Sequence, residues 1–89
     1  MSKKIEPTIA VTIMSPESVV WKGDALSLSS TNSEGNFDII PDHARFMTLV
    51  EDVPIIVREI GGEDTSFKFD NAVLFFQDNS AKIYVHKAS

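Results

Sequence analysis

The chain has 89 residues, a formal net charge of −5 and no cysteine, so we expect one small domain without disulfides or cysteine-type zinc sites. The negative charge argues against binding to a nucleic-acid backbone, which requires clustered lysine and arginine. No apolar run approaches the roughly 20 residues of a membrane-spanning helix, and the first residues lack the apolar centre of a signal peptide. These features predict a soluble, acidic, cytoplasmic domain that reaches a membrane only through a partner.

Short strands are predicted along the whole chain after a polar segment, residues 1–7, that we expect to be frayed, so that residues 8–89 form one folded domain. Nine segments have strand composition, and most of them alternate apolar and polar residues. They are 8–14, 19–22, 25–31, 36–40, 46–50, 55–60, 65–69, 72–77 and 81–86. Gly23-Asp24 should stop the second of these, and Gly61-Gly62 should supply positive φ in a hairpin loop. The fifth segment is ambiguous, because its apolar residues also have helical spacing.

The number and spacing of these strands indicate an all-β sandwich or barrel. No βαβ unit, heptad or internal repeat is visible. The expected core consists of the apolar residues on one face of each strand. They are Leu26, Leu28, Phe37, Ile39, Ile55, Val57, Phe67, Phe69, Leu74, Phe76 and Ile83.

A rigid polar corner at Pro41-Asp42-His43 interrupts the centre of the chain. Proline fixes its own φ and pushes Ile40 toward extended backbone, so the preceding strand ends in a defined direction. A corner of this composition is poorly suited to a core and well suited to the surface. Asp42 and Arg45 within it could form an ion pair with each other.

Groups that could carry chemistry occur around this corner, but none has the spacing of a known site. The possible metal ligands are Glu34, Asp38, Asp42 and His43. Neighbouring strand residues point to opposite faces, and no known ligand spacing fits this set. A trio of Ser33, His43 and Asp52 lacks a strained nucleophile turn, and the glycines form no phosphate-binding loop. We therefore expect no enzymatic activity and no cofactor.

His43 is open to three interpretations. It is an exposed loop side chain, a structural side chain that bonds the backbone of the corner, or a residue that faces a partner. His86 lies near the end of the chain and is assigned no role.

Val73-Leu74-Phe75-Phe76 predicts an exposed apolar surface. If Leu74 and Phe76 point into a sandwich, Val73 and Phe75 point out of it. Exposed pairs of apolar side chains usually mark an interface, although a loop or sheet edge could cover Phe75 instead. Self-association through Phe75 or an altered contact with a partner would both explain the pair.

The sequence resembles the amino-terminal domain of the epsilon subunit of F-type ATP synthase, whose mitochondrial homologue is called delta. The resemblance covers residues 11 to 85. It is strongest at the corner, in a Glu-Gly-x-x-x-Ile-x-Pro-x-His-Ala pattern. The matching residues are Ser15, Glu17, Gly23, Ser27, Leu28, Thr31, Ser33, Glu34, Gly35, Ile39, Pro41, His43, Ala44, Thr48, Leu74 and Gln77.

The resemblance implies a two-sheet β-sandwich of about nine to ten strands, with residues 46–53 as a strand. It also implies a non-catalytic subunit in the central stalk of the F1 sector, peripheral on the cytoplasmic face of the membrane. Such a subunit binds the gamma subunit and the membrane c-ring, and it couples rotation driven by protons or sodium ions to ATP synthesis. Most relatives continue into a helical hairpin that regulates ATP hydrolysis. The sequence ends at Ser89 with no C-terminal helical hairpin within it, and two interpretations stay open: a naturally short subunit that lacks the hairpin, or one domain of a longer protein.

The resemblance also assigns residues to two partner surfaces. Those expected to face gamma are Ser15, Pro41, Asp42, His43, Arg45 and Thr48. Those expected to face the c-ring are Glu34, Gly35 and Asn36. Separately from the resemblance, the alternation of residues 73–76 predicts an extra apolar contact through Val73 and Phe75, with no partner assigned. The sequence departs from the family at Asn36, Asp42, Arg45, Val53, Asn71-Ala72 and Phe75. An alternative hypothesis is a free-standing β-sandwich that binds another protein through Val73 and Phe75.

Overall fold

The computed structural model describes residues 7–86, and these form eight strands without a helix. The strands are β1 (Ile9–Met14), β2 (Val19–Asn32), β3 (Gly35–Ile39), β4 (Phe46–Glu51), β5 (Pro54–Glu59), β6 (Asp64–Lys68), β7 (Asn71–Gln77) and β8 (Ser80–Val85). The predicted all-β class is confirmed, including the strand at residues 46–51. No part of residues 7–86 forms an apolar helix of membrane-spanning length. The segment predicted to be frayed, residues 1–7, lies outside the described residues except for Pro7.

The predicted number of strands, nine to ten, is wrong because residues 19–22 and 25–31 belong to one strand. Gly23 does not stop β2, since it pairs with Val11 in the ladder with β1. A Cβ atom at Gly23 would lie only 3.0 Å from the ring of Trp21. The glycine therefore makes room for an aromatic ring rather than a turn.

The long strand β2 joins two layers into one curled sheet. Its first half pairs with β1, and its second half pairs with β5 on one edge and β3 on the other. The complete order is β4-β7-β8-β1-β2-β5-β6, with β3 attached to β2. All neighbours are antiparallel except β1 and β8. The two predicted sheets are thus two layers of one hydrogen-bonded sheet, with β4, β7, β8 and β1 in the first layer and β3, β5 and β6 in the second.

One hydrophobic core receives side chains from both layers. Of the predicted core residues, those that are buried are Leu28, Ile39, Ile55, Val57, Leu74, Phe76 and Ile83. Three more are half-buried against this cluster, namely Phe37, Phe67 and Phe69. Core residues that the prediction omitted are Ile9, Val11, Ile13, Ala25, Val50, Ala72, Ala81 and Val85.

The prediction that Leu26 belongs to the core is wrong. The ladder between β2 and β5 shifts register between Ala25 and Ser27. This irregularity places Ala25 and Leu28 in the core and leaves Leu26 half-buried between them. Strict alternation cannot locate such a shift, because it depends on the partner strand.

Aromatic pairs also connect the two layers, one between β3 and β4 and one between the first half of β2 and β6. The rings of Phe37 on β3 and Phe46 on β4 have centroids 5.2 Å apart, and those of Trp21 and Phe67 on β6 are 5.9 Å apart. Tilted rings at these distances attract one another in addition to the surface that they bury. These contacts hold the first layer against the second where no backbone hydrogen bonds cross between them.

Two adjacent phenylalanines of β7 provide a matched test of this packing. Phe76 is buried and Phe75 is 44% exposed on the opposite face. We expect Phe76→Ala to lower the free energy of unfolding by about 3–5 kcal/mol, because it leaves a cavity in the core. Phe75→Ala should cost about 1 kcal/mol or less, since its ring is already in contact with water. Urea denaturation of both variants measures the difference, and equal losses would contradict the assigned faces.

Candidate partner interface

The corner between β3 and β4 is fixed by a side chain distant in sequence. The backbone N–H of Asp42 donates to Oδ1 of Asn79 (2.6 Å), and Nδ2 of Asn79 donates to Oδ1 of Asp42 (3.3 Å). Asp42 has a positive φ of 69°, a conformation that aspartate tolerates better than most residues. Asp42 is thus bound to Asn79, and the ion pair with Arg45 that the sequence allowed is absent from this corner.

Asn79 belongs to the two-residue turn between β7 and β8. Asp78 and Asn79 have φ of 53° and 58°, the left-handed conformation of the turn type that best fits the twist of a hairpin. The carbonyl of Asn79 also accepts a hydrogen bond from the N–H of Ala10 (2.9 Å). One tight turn therefore holds the corner and the start of β1 in a fixed relation.

His43 has a structural role at the corner. Its Nδ1 lies 2.9 Å from the carbonyl oxygen of Ala44, and its backbone N–H donates to the carbonyl of Ile40. The imidazole packs edge-on to Phe46 and Phe76, with centroid distances of 5.7 and 6.0 Å. Because a carbonyl can only accept, Nδ1 carries a proton in this arrangement. His43 is half-buried, and its ring contacts the backbone of the corner as the second interpretation describes, while its contact with a partner stays a prediction.

The turn between β2 and β3 carries the residues assigned to the c-ring. Ser33 and Glu34 occupy the turn, and Gly35 follows with a φ of 120°. Asn32 closes the turn, because its Oδ1 accepts from the N–H of Glu34 (2.8 Å). The hydroxyl of Thr31 donates to Oδ1 of Asn36 (2.7 Å). The predicted group Glu34, Gly35 and Asn36 is therefore exposed on one ordered turn.

The residues assigned to gamma do not form one cluster. Ser15 follows the end of β1 that is remote from Ala10 and Asn79, so the length of β1, about 17 Å, separates it from the corner. Its hydroxyl accepts from the N–H groups of Glu17 and Ser18 at 3.3 Å and closes a turn.

Thr48 points between the layers instead of outward. It is half-buried on β4, and its hydroxyl accepts a hydrogen bond from Nδ2 of Asn32 (3.0 Å). Its two neighbours on β4, Met47 and Leu49, point to the opposite side and are exposed.

The outer face of the first layer carries an apolar surface, which we call the outer apolar face. It consists of Met47, Leu49, Val73, Phe75 and Tyr84, with exposed fractions of 63, 48, 37, 44 and 44%. These residues are adjacent, since Met47 pairs with Phe75, Leu49 pairs with Val73, and Val73 pairs with Tyr84. The rings of Phe75 and Tyr84 meet edge to face at 6.0 Å.

The predicted exposure of Val73 and Phe75 is confirmed, and the surface is larger than the sequence indicated. Met47 and Leu49 were not identified, because their segment had both helical and strand spacing. Tyr84 was not identified because only its pairing with Val73 brings it to this face. Alternation within residues 81–86 could have shown that Tyr84 lies opposite to Ile83.

The outer apolar face lies between the two separate groups of predicted gamma residues. On one side, Gln77 continues the outward row of β7 and lines a polar hollow at the corner with Asp42 and Arg45. On the other side, Met14 pairs with Tyr84 and directly precedes Ser15. Corner, apolar face and Ser15 therefore form one continuous surface along the first layer.

The second layer has a polar outer surface. Ser29 donates a hydrogen bond to Asp38, and Arg58 forms an ion pair with Asp64 at 3.2 Å. Ile40 and Ile56 are exposed there among these polar groups, and Ile60 is exposed just after the end of β5. The two faces of the domain thus differ in kind, and the first layer has the more apolar one.

Neither set of reactive groups that was considered and rejected from the sequence is assembled. Asp52 follows the far end of β4 and lies near Lys68, whereas His43 precedes the near end of the same strand. About 20 Å of strand therefore separates His43 from Asp52, too far for proton transfer. Within residues 7–86, no three acidic, histidine or cysteine side chains converge as metal ligands would.

Comparison with known proteins gives a consistent relation over almost the whole chain. The sequence model of the family described as "ATP synthase, Delta/Epsilon chain, beta-sandwich domain" matches residues 8–89. The ATP synthase epsilon chain of Clostridium kluyveri is 25% identical over 84% of this chain, which spans 57% of that relative's length. The epsilon chain of Frankia casuarinae is 26% identical over 90% of this chain and 94% of its own.

The fold also matches a solved structure of the mitochondrial ATP synthase of Euglena gracilis, determined with OSCP, F1 and the c-ring. The TM-score is 0.82 at 13% identity, with 96% of this chain and 54% of that chain covered. At this identity the likeness concerns the fold alone. The match of the family model to residues 8–89 decides the relation: the chain belongs to the family of ATP synthase delta/epsilon-chain β-sandwich domains.

Proposed function

We propose that the chain is a non-catalytic domain of the central stalk of an F-type ATP synthase and that it binds the gamma subunit through its first layer. The observation that carries this proposal is the outer apolar face between the corner and Ser15. Both groups of residues that the resemblance assigns to gamma border this face. A partner that covered the face would touch both groups at once.

The physical argument rests on the contrast between the two layers. Five apolar side chains of the first layer form one adjacent group in contact with water, whereas the exposed isoleucines of the second layer, Ile40, Ile56 and Ile60, lie among hydroxyls and charged groups. Covering apolar surface yields about 25 cal/mol per Å² before the costs of association. The first layer is therefore the favourable side for a stable contact.

The c-ring would meet the turn of Glu34, Gly35 and Asn36. This turn is exposed and polar, as expected for a contact with the polar loops of a membrane ring. Its position beyond the end of β2 leaves the outer apolar face free for gamma. Contact with both partners would place the domain in the F1 sector on the cytoplasmic face of the membrane, where it transmits proton- or sodium-driven rotation to ATP synthesis.

A mechanical role suits the rigidity of the surface. Paired hydrogen bonds to Asn79 hold the corner, and the imidazole of His43 packs edge-on against two phenylalanine rings. A coupling element must transmit torque without deforming, so fixed backbone at the contact is an advantage. The domain would contribute shape and contact surface, and the catalytic chemistry would occur in other subunits.

A matched pair of substitutions tests which layer binds gamma. Phe75→Ser should weaken binding of the gamma subunit from the same organism at least about tenfold, because a large buried side chain contributes roughly 1.5–3 kcal/mol. Ile56→Ser on the second layer, which is exposed to a similar degree, should leave the affinity within about twofold. Isothermal titration calorimetry measures both values.

Equal weakening by both substitutions would overturn the choice of layer, and a folded wild-type chain that does not bind gamma at micromolar concentration would overturn the proposed function. Sedimentation of the chain alone tests the rival occupant of this face. A dimer that Phe75→Ser dissociates, without any binding of gamma, would instead support the hypothesis of self-association.

The contribution of the corner can be tested through Asn79. Asn79→Gly removes the carboxamide that binds Asp42 and retains a residue that accepts positive φ. We expect the affinity for gamma to fall about three- to tenfold, because the corner loses two hydrogen bonds and must be ordered on binding. The control is Asp78→Gly in the same turn, which leaves the bonds to Asp42 intact. The role of the corner is contradicted if the control lowers the affinity as much.

A further inference from the structure

The two proposed partner surfaces meet at Asn32. Its carboxamide oxygen accepts a hydrogen bond from the N–H of Glu34, in the turn between β2 and β3 that is proposed to face the c-ring. Its amide group donates to the hydroxyl of Thr48 on β4. Thr48 lies 16 positions further along the chain and in the other layer. One side chain thus bonds the exposed turn of one layer to the strand that carries two of the five residues of the outer apolar face.

Strand β4 is well placed to pass a displacement to this bond. It ends the order of strands and pairs only with β7 within the described part of the chain, so its other edge has no ladder to hold it. Met47 and Leu49 flank Thr48 and point outward. Because successive strand residues share one backbone, fixing these outward side chains also restrains the backbone from which the hydroxyl of Thr48 projects.

The turn and the face are also close in space. A shallow crevice lies between the C-terminal ends of β2 and β4. It is lined by Leu49 of the outer apolar face and by Ser33 of the turn between β2 and β3. Its full lining is Thr31, Asn32, Ser33, Leu49, Glu51 and Val53. A partner that contacts the outer apolar face at Leu49 is therefore separated from the turn only by the width of this crevice.

We propose that Asn32 is a positioning residue that couples the two surfaces: gamma bound on the outer apolar face immobilises β4, and the bond from Asn32 to Thr48 then tightens the Glu34–Asn36 turn. This inference rests on the proposed function, in that it takes gamma as the occupant of the outer apolar face. By thermodynamic reciprocity, a partner that fixes the turn strengthens binding at the face by the same factor. The Glu34–Asn36 turn would thus be held more firmly for the c-ring when the gamma subunit is bound.

Hydrogen exchange in the turn is the measurement, because the N–H of Glu34 is itself bonded to Asn32. Exchange is followed by mass spectrometry in the peptide over residues 31–37, with the chain free and saturated with the gamma subunit. In the wild type we expect saturation to slow this exchange about fivefold, the effect of one hydrogen bond of ordinary net strength.

Three substitutions separate the coupling from general stability. Thr48→Val removes the acceptor for the amide group of Asn32 and leaves the bond from Asn32 to Glu34 in place. In this variant the response to gamma should disappear, whereas Thr48→Ser, which retains the hydroxyl, should keep it. Thr31→Val is the matched control, because it removes a bond inside the hairpin and leaves the link to β4, so its response should persist.

The outcomes distinguish the two claims. If wild-type chain binds gamma and its turn does not respond, or if Thr48→Val responds as the wild type does, the coupling is refuted while the proposed function stands. If the wild-type chain is folded and does not bind gamma, the proposed function fails, and the coupling fails with it. Unchanged exchange in the peptides of β7 and β8 verifies that each variant remains folded.

Discussion

The structure depends on the continuity of β2. This strand pairs with β1 over its first half and with β3 and β5 over its second, so both layers are registered on one backbone. A shift of β2 by one residue against β1 would move every apolar side chain of that ladder to the wrong face. The curl of the sheet brings its two inner faces together as a single core, and the outer faces are left to differ in character.

That difference between the outer faces links the fold to its function. Alternation along β4 and β7 directs Val50, Leu74 and Phe76 inward, and it necessarily directs Leu49 and Phe75 outward. Outward positions of a solitary domain would ordinarily be polar. Here they are apolar on the first layer, and they lie between the corner and Ser15, the positions that the family resemblance assigns to gamma. A domain that works as one part of a larger stalk would have this asymmetry.

Much of the fold could be predicted from local pattern, because period-two alternation depends only on neighbouring residues. β7 is the clearest case, since its four central residues gave both the inward and the outward face correctly. The interruption predicted at Gly23 was wrong because the role of this glycine depends on the ring of Trp21, which packs over it. The error at Leu26 arose from a register shift that only the partner strand β5 reveals.

The site was less predictable, because its bonds are long-range. The corner is held by Asn79, 37 positions away from Asp42, and no local pattern relates the two. Thr48 and Asn32 are likewise joined only through the stacking of the layers. The sequence located the exposed corner and the polar turn, whereas the surface that unites Ser15 with His43 required the pairing of β4, β7 and β8.

The absence of cysteine from these 89 residues allows the central claim, that the first layer faces the shaft, to be tested by thiol labelling. Single substitutions Phe75→Cys and Ile56→Cys place one thiol on each outer face, and the rate of maleimide modification is compared with and without the gamma subunit. We expect gamma to slow the modification at position 75 at least about tenfold and to leave position 56 unchanged, because only the first thiol would be covered. Two results would contradict the account. One is protection at position 56 alone, and the other is a modification rate at position 75 that is the same with and without bound gamma.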